Sequence, residues 1–400
     1  MHSSMIAQRN ISRNIWKLYV LNALYGAIFL IPVIIPFYRE NGVSLAQALL
    51  LEAIFSIEMV ILEIPTGYLS DRWGRKPTIV IAYAFSILGW LQYGVGTGFN
   101  FFLIGEILMG VGASLLSGTG EAMTYDTLLE MGETARYRHI SGNQNFSMFT
   151  TEALCSILGG ILAIVSLRTA AWVTVASPIF GFLVALTLTE PHRHKLQGTQ
   201  HLRTLWRIST NTLVHNIPLR SITLLHGLIS TMTLSLFWLT QPFQTMVHLP
   251  LALFGITHAL IVGSGAVAAR YTHAISKHID DRFFLLLIAL AVVISYIVLG
   301  FSASLWAMLF FFTGRIGWGL LSPLTSDLMN RMTTSDIRAT VLSIRALASR
   351  LLFAMTSPFI GYAADVWPLN QALLLVGCIG GIALTIIFLL MRPVWGRIPK

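Results

Sequence analysis

Apolar residues run through this chain in long blocks, and short polar stretches separate them. A helix needs about 20 apolar residues to cross the hydrocarbon core of a bilayer. Blocks of that length stand at 15–37, 46–70, 77–97, 100–125, 144–166, 169–188, 219–246, 250–275, 283–302, 304–327, 339–363 and 369–391. They predict twelve transmembrane helices, numbered here as spans 1 to 12. The longest interruption, 189–218, contains His192, Arg193, His194, Lys195, His201, Arg203 and Arg207. It divides the chain into an N-terminal bundle over 1–188, a cytoplasmic linker over 189–218 and a C-terminal bundle over 219–400. The expected fold is an all-α membrane protein with two pseudo-symmetric six-helix bundles.

Composition points the same way. Of 400 residues, 55% are hydrophobic and 11% are charged, and the mean hydropathy is +0.72. A soluble domain needs about 25% charged residues to hydrate its surface. A net charge of +9 would suggest nucleic acid in a soluble protein, but here the basic residues sit in short loops and report topology. With the N-terminus inside, the outer loops hold only Arg39 and Arg168. Arg270, Arg315, Arg345 and Arg350 lie within spans, and every other Lys and Arg falls inside. This predicts an inner-membrane protein with both termini cytoplasmic. Met1–Asn14 shows no h-region or cleavage site, so no cleaved signal peptide is expected.

The chain has two cysteines, Cys155 and Cys378, both inside apolar runs, which gives neither a disulfide framework nor metal spacing. The 11 histidines are expected in loops and at span ends. No phosphate-binding loop and no catalytic-triad pattern occur. The chain is therefore expected not to be an enzyme or an ATP-driven pump, and to use no cofactor or metal.

The two six-span halves suggest duplication. Gly105-Glu106-Ile107 with Gly110 in span 4 is matched 209 residues later by Gly314-Arg315-Ile316 with Gly319 in span 10. Asp71-Arg72 after span 2 is matched by Asp281-Arg282 after span 8. Spans 3, 6, 9 and 12 hold no charged residue, so every third helix is expected to face lipid, where a charge costs about 2.5–3.5 kcal/mol by insertion scales.

Between spans 2 and 3 stands Gly67-Tyr68-Leu69-Ser70-Asp71-Arg72-Trp73-Gly74-Arg75-Lys76-Pro77. It closely resembles the signature loop of the major facilitator superfamily, Gly-x-Leu-x-Asp-Arg-x-Gly-Arg-Lys. The resemblance implies a carrier working by alternating access, with this loop as a cytoplasmic gate. Asp71 would sit at a helix N-terminus of the other half. Arg72 and Arg75 could pair with Glu121 or Asp126, and Lys76 would anchor the loop. Gly67 is expected to allow a close helix approach, Gly74 to permit the tight turn and Pro77 to open span 3. The match is incomplete elsewhere. Drug–proton antiporters of the superfamily often carry Arg in span 4, where Glu106 stands here, and a Gly-Pro element in span 5, where Cys155-Ser156-Ile157-Leu158 precedes Gly159-Gly160. Ser117-Gly118-Thr119-Gly120-Glu121-Ala122 with Tyr125-Asp126 is similar to an exporter branch, some of whose members accompany siderophore gene clusters.

Charges inside the membrane are the candidate chemistry. Glu58, Glu106 and Glu152 lie deep in spans 2, 4 and 5. A shielded carboxyl can carry a proton near neutral pH, so these three are the proton-coupling candidates. Arg315, Arg345 and Arg350 lie in spans 10 and 11. Arginine keeps its charge, so they are substrate-binding candidates, together with Trp318 beside Arg315. Static Glu–Arg pairs are the structural alternative. The expected function is proton-coupled export of a small molecule, either an amphipathic drug or a carboxylate-rich metabolite. The alternatives are an importer or uniporter of a small anion, a lipid flippase, or a non-transporting sensor. The expected partners are the substrate, protons and membrane lipid, with no nucleic acid, and the chain is expected to be a monomer.

Overall fold

The structure, a computed structural model, describes residues 11–192, 210–334, 337–392 and 395. The basic linker residues Arg193, His194, Lys195, His201, Arg203 and Arg207 lie outside the described residues, as do Arg9, Arg397 and Lys400. The described chain is built from helices. In order these are α1 (Asn14–Gly26), α2 (Ile34–Glu40), α3 (Leu45–Trp73), α4 (Arg75–Val95), α5 (Gly98–Leu116), α6 (Thr119–Met131), α7 (Tyr137–Val165) and α8 (Leu167–Leu186). Then follow α9 (Ile217–Met246), α10 (Leu251–Ser276), α11 (Asp281–Phe301), α12 (Leu309–Arg331), α13 (Arg338–Val366) and α14 (Leu369–Met391). Among the described residues, 11 helical stretches are long and apolar enough to cross a membrane. The remaining span is α13, 29 residues long. Arg345 and Arg350 in its middle make it less apolar than the others.

Two spans are broken where the hydropathy runs on. Span 1 is α1, then a single 3-10 turn over Ile31–Val33, then α2. Pro32 sits in that turn and has no N–H to give. Backbone groups freed in hydrocarbon must be satisfied by protein, and here they are. The Thr174 hydroxyl accepts from Phe29 N (3.1 Å) and Leu30 N (3.2 Å). Ser177 donates to Leu24 O. The Tyr83 hydroxyl donates to Leu21 O (2.9 Å). Span 4 divides into α5 and α6 at Gly118, which takes φ 72°, a left-handed turn that favours glycine. Span 5 starts earlier than expected, since α7 begins at Tyr137.

The helices gather into two compact units. Unit 1 comprises Met1–Val43, Ile54–Gln197 and Pro250–Ala259, and unit 2 comprises Ser44–Ala53, Gly198–Leu249 and Leu260–Lys400. The first turns of α3 thus pack within unit 2. There the Asp365 carboxylate accepts from Leu45 N (3.1 Å) and Ala46 N (2.7 Å), capping the helix. The first turns of α10 pack within unit 1, where Gly255 and Gly160 bring α10 and α7 into backbone contact. Gly159 does the same against Phe29 in the break of span 1.

The repeat is visible in packing. Gly110 of α5 leaves room for the Glu58 side chain of α3, and Gly319 of α12 leaves room for Gly265 of α10. Spans 4 and 10 thus pack on spans 2 and 8 through glycines at matching positions. The uncharged spans 9 and 12 present exposed apolar stripes. On α11 the stripe is Phe283, Leu287, Leu290, Ile294, Ile297 and Phe301, and on α14 it is Leu375, Ile379, Ile382, Ile386 and Leu389. Steps of three and four residues keep each stripe on one helix face, and such a face requires an apolar solvent.

The glycine contacts differ in what they tolerate. Around Gly263, an added Cβ would meet no described atom within 4 Å. Gly255→Val should lose monodisperse protein in size-exclusion chromatography, whereas Gly263→Ala should elute as the wild type does. Equal behaviour of the two variants would contradict this packing.

Candidate functional site

In unit 1, Glu106 is 4% exposed and stands on the third turn of α5. Its Oε1 accepts from the hydroxyl of Tyr93 and from that of Tyr38 (3.3 Å), and the two phenol oxygens are 2.7 Å apart. Tyr38 comes from α2 and Tyr93 from the end of α4. Phe37, Trp90 and Phe102 pack on these phenols and exclude water, with ring centroids 4.9 Å apart for Tyr93 and Phe102. Glu58 of α3 lies against Gly110, one turn along α5 from Glu106. Glu58 Oε2 is buried with no hydrogen-bond partner among the described residues. The structure therefore brings two of the three expected acids together. Glu152 stands apart on α7, 3.6 Å from His258 Nε2 of α10.

In unit 2, the Arg315 guanidinium lies over the Phe237 ring at 4.3 Å and near Trp318 at 5.7 Å. A cation is attracted to an aromatic face at such distances. Arg345 is 8% exposed and donates from Nη1 to Thr325 Oγ1 (2.6 Å) and Ser322 O (3.2 Å). The Thr325 oxygen also contacts His226 Nδ1 (2.8 Å). Arg350 is half-buried and forms no ion pair among the described residues.

His226 and His258 depart from the expectation for histidines. Both are buried inside helices, not in loops or at span ends. Their partners, Thr325 and Glu152, are about a hundred residues away in the chain, so no local pattern announces them. Tyr38 and Tyr93 are likewise silent in the sequence, because a tyrosine near a span end reads as an interface residue.

At the loop after α3, Arg75 pairs with Asp71 (2.8 Å) and with Asp126 (3.2 Å), the second of which the motif implied. Arg72 and Glu121 form no ion pair among the described residues. Gly74 takes φ 123°, the tight turn expected of it, and Pro77 lies in the first turn of α4. A Cβ added at Gly67 would meet no described atom within 4 Å, so the close approach expected there is absent. Glu190, which carries no motif in the sequence, caps α4 by accepting from Arg75 N (2.8 Å) and Lys76 N (2.7 Å). A similar triad closes unit 2, where Arg331 pairs with Asp281 (3.1 Å) and Asp327.

Residues 18–356 match the Major Facilitator Superfamily. The chain belongs to that superfamily. It is a multi-pass membrane protein and a transporter, not an enzyme. The quinolone resistance protein NorA of Staphylococcus aureus (strain MSSA476) is 22% identical over 320 residues, covering 78% of this chain and 80% of NorA. Among solved structures, a point mutant of the nucleoside transporter NupG aligns with TM-score 0.82 at 12% identity, covering 94% of this chain and 99% of that one. A bacterial homolog of the human lysosomal transporter Spinster, inward-facing and unoccupied, aligns with TM-score 0.76 at 17% identity, covering 98% and 99%. A D-xylose–proton symporter aligns with TM-score 0.67 at 16% identity, covering 93% and 96%. At these identities the structural likeness shows the fold alone.

The Glu152–His258 contact can be weighed in this superfamily member by a double-mutant cycle. Thermal unfolding of Glu152→Gln, His258→Gln and the double variant should give a coupling of about 1 kcal/mol. Strict additivity would show that the two side chains do not interact.

Proposed function

We propose that this transporter exports a small molecule across the inner membrane in exchange for protons, by alternating access, as a monomer with both termini cytoplasmic. The observation that carries the reading is Glu106, a deeply buried carboxyl held by two phenols. Ionised, a carboxylate only accepts hydrogen bonds; protonated, it becomes a donor as well. The Tyr38–Tyr93–Glu106 triangle has two phenol hydrogens for three contacts, so a proton arriving at Glu106 supplies it with a third. That triangle joins α2, α4 and α5, so a local proton event acts on three helices at once. Glu58, one helical turn away, supplies a second carboxyl that repels the first when both are ionised. Glu152, beside His258, is the third site for proton coupling.

Arg315, Arg345, Arg350 and Trp318 of unit 2 serve as the substrate contacts. The Arg315 stack on Phe237 and Trp318 suits a ligand that is partly aromatic and partly anionic. The resemblance to NorA, a resistance protein by its name, supports export. The gate role belongs to Gly67, Asp71, Arg72, Gly74, Arg75, Lys76, Glu121 and Asp126, with the Asp71–Arg75–Asp126 bridge as its core.

The test is substrate flux in proteoliposomes under an imposed pH gradient, with lipophilic cations and tricarboxylates as the panel. Glu106→Gln and Glu58→Gln should each bring gradient-driven flux to background while leaving the protein folded. Undiminished gradient-driven flux in both variants would contradict proton coupling at this pair.

A further inference from the structure

One polar layer crosses α9, α12 and α13 within unit 2, and Thr325 is at its centre. Its hydroxyl oxygen contacts Leu321 O (2.7 Å), Arg345 Nη1 (2.6 Å) and His226 Nδ1 (2.8 Å). A hydroxyl has one hydrogen and two lone pairs. With its hydrogen given to Leu321 O, both lone pairs are used, one by the guanidinium and one by an N–H on His226 Nδ1. The second imidazole nitrogen faces Ser230 Oγ (3.4 Å). The Ser322 carbonyl (3.2 Å) accepts from the same Nη1 of Arg345. One end of the guanidinium is thus fixed by α12.

The other edge, Nε and Nη2, has no such partner. Nε is buried without an acceptor among the described residues, and no hydrogen bond from Nη2 occurs among them. Arg345 also forms no ion pair among them. The described aspartates of unit 2 are engaged at helix ends: Asp281 and Asp327 with Arg331, Asp365 at the start of α3, and Asp280 at Arg282 N (3.0 Å). Arg345 lies seven residues into α13, about 10 Å along its axis. A guanidinium at that depth is costly unless an anion meets it. The Nε–Nη2 edge is a pair of parallel donors, which matches the two oxygens of a carboxylate.

We propose that this edge is a carboxylate-binding site, with Arg345 as the ligand-binding group and Thr325 and His226 as positioning residues. The proposal rests on the transporter reading and narrows its substrate to a carboxylate-bearing organic anion.

The probe is sodium benzoate, titrated into the purified full-length protein in detergent while thermal unfolding is followed. Sodium chloride at matched ionic strength and neutral benzamide are the controls. Benzoate should raise the unfolding midpoint saturably, and the controls should not. The apparent Kd for benzoate should weaken at least about tenfold in Arg345→Gln, a loss of about 1.4 kcal/mol. It should weaken several-fold in Arg345→Lys, which keeps charge but not the fork, and in Thr325→Val, which frees the guanidinium. Arg338→Gln, at the start of the same helix, should bind as the wild type does. If Arg345→Gln fails to fold, the Lys and Val variants carry the comparison. An equal response to chloride, or a benzoate affinity unchanged in the Arg345 and Thr325 variants, would overturn the site. Flux without any benzoate response would overturn the site alone. An Arg345-dependent benzoate response without flux of any compound would overturn the transport reading and leave the site standing.

Discussion

Hydrocarbon offers a polar group no partner, so each buried polar atom in this protein must find one in the protein or stand where a ligand can reach it. The rest of the structure follows from that constraint. It makes the spans helical, because a helix satisfies its own backbone. It explains the repair of span 1, where the helix stops ahead of Pro32 and Thr174 accepts from the freed Phe29 and Leu30 N–H groups, while Ser177 and Tyr83 donate to carbonyls of the preceding turns. It also sorts the embedded charges into those with partners and those without.

The two units solve the problem differently. Unit 1 holds acids: Glu106 is caged by phenols, Glu58 leaves one oxygen without a partner among the described residues, and Glu152 meets a histidine. Unit 2 holds cations: Arg315 is stacked on aromatics, and Arg345 is fixed at one end and open at the other. Carboxyls can give up and regain a proton, whereas guanidinium groups stay charged. The proposed division between a proton-handling unit and an anion-handling unit rests on these residue types. The helix-end charges have another task. Asp71, Arg75 and Asp126 in one unit, and Asp281, Arg331 and Asp327 in the other, tie helix ends to one another.

Hydropathy made the spans legible because every one needs its apolar length. The signature loop made the family legible because its glycine and charged positions recur together. The break in span 1 was hidden by Ile, Pro and Val, which keep hydropathy high while removing a hydrogen bond. The break at Gly118 falls in Ser117-Gly118-Thr119-Gly120, a short polar stretch inside a block long enough to read as one span. The exchange of residues 44–53 and 250–259 between the compact units leaves no mark in composition. The acids and arginines of the site were legible one at a time, as costly residues in apolar runs. Their partners were not. Glu152 finds His258 and Arg345 finds Thr325 only through folding, and nothing near Glu106 in the chain foretells Tyr38.

The central claim is that Glu106 gains and loses a proton inside its tyrosine cage. Infrared difference spectroscopy of the reconstituted protein across a pH step reads this directly, through the C=O stretch of a protonated carboxyl. The account predicts a pH-dependent band that Glu106→Gln removes and that Tyr93→Phe shifts in frequency. A band unchanged in Glu106→Gln would place the titrating group elsewhere and contradict the account.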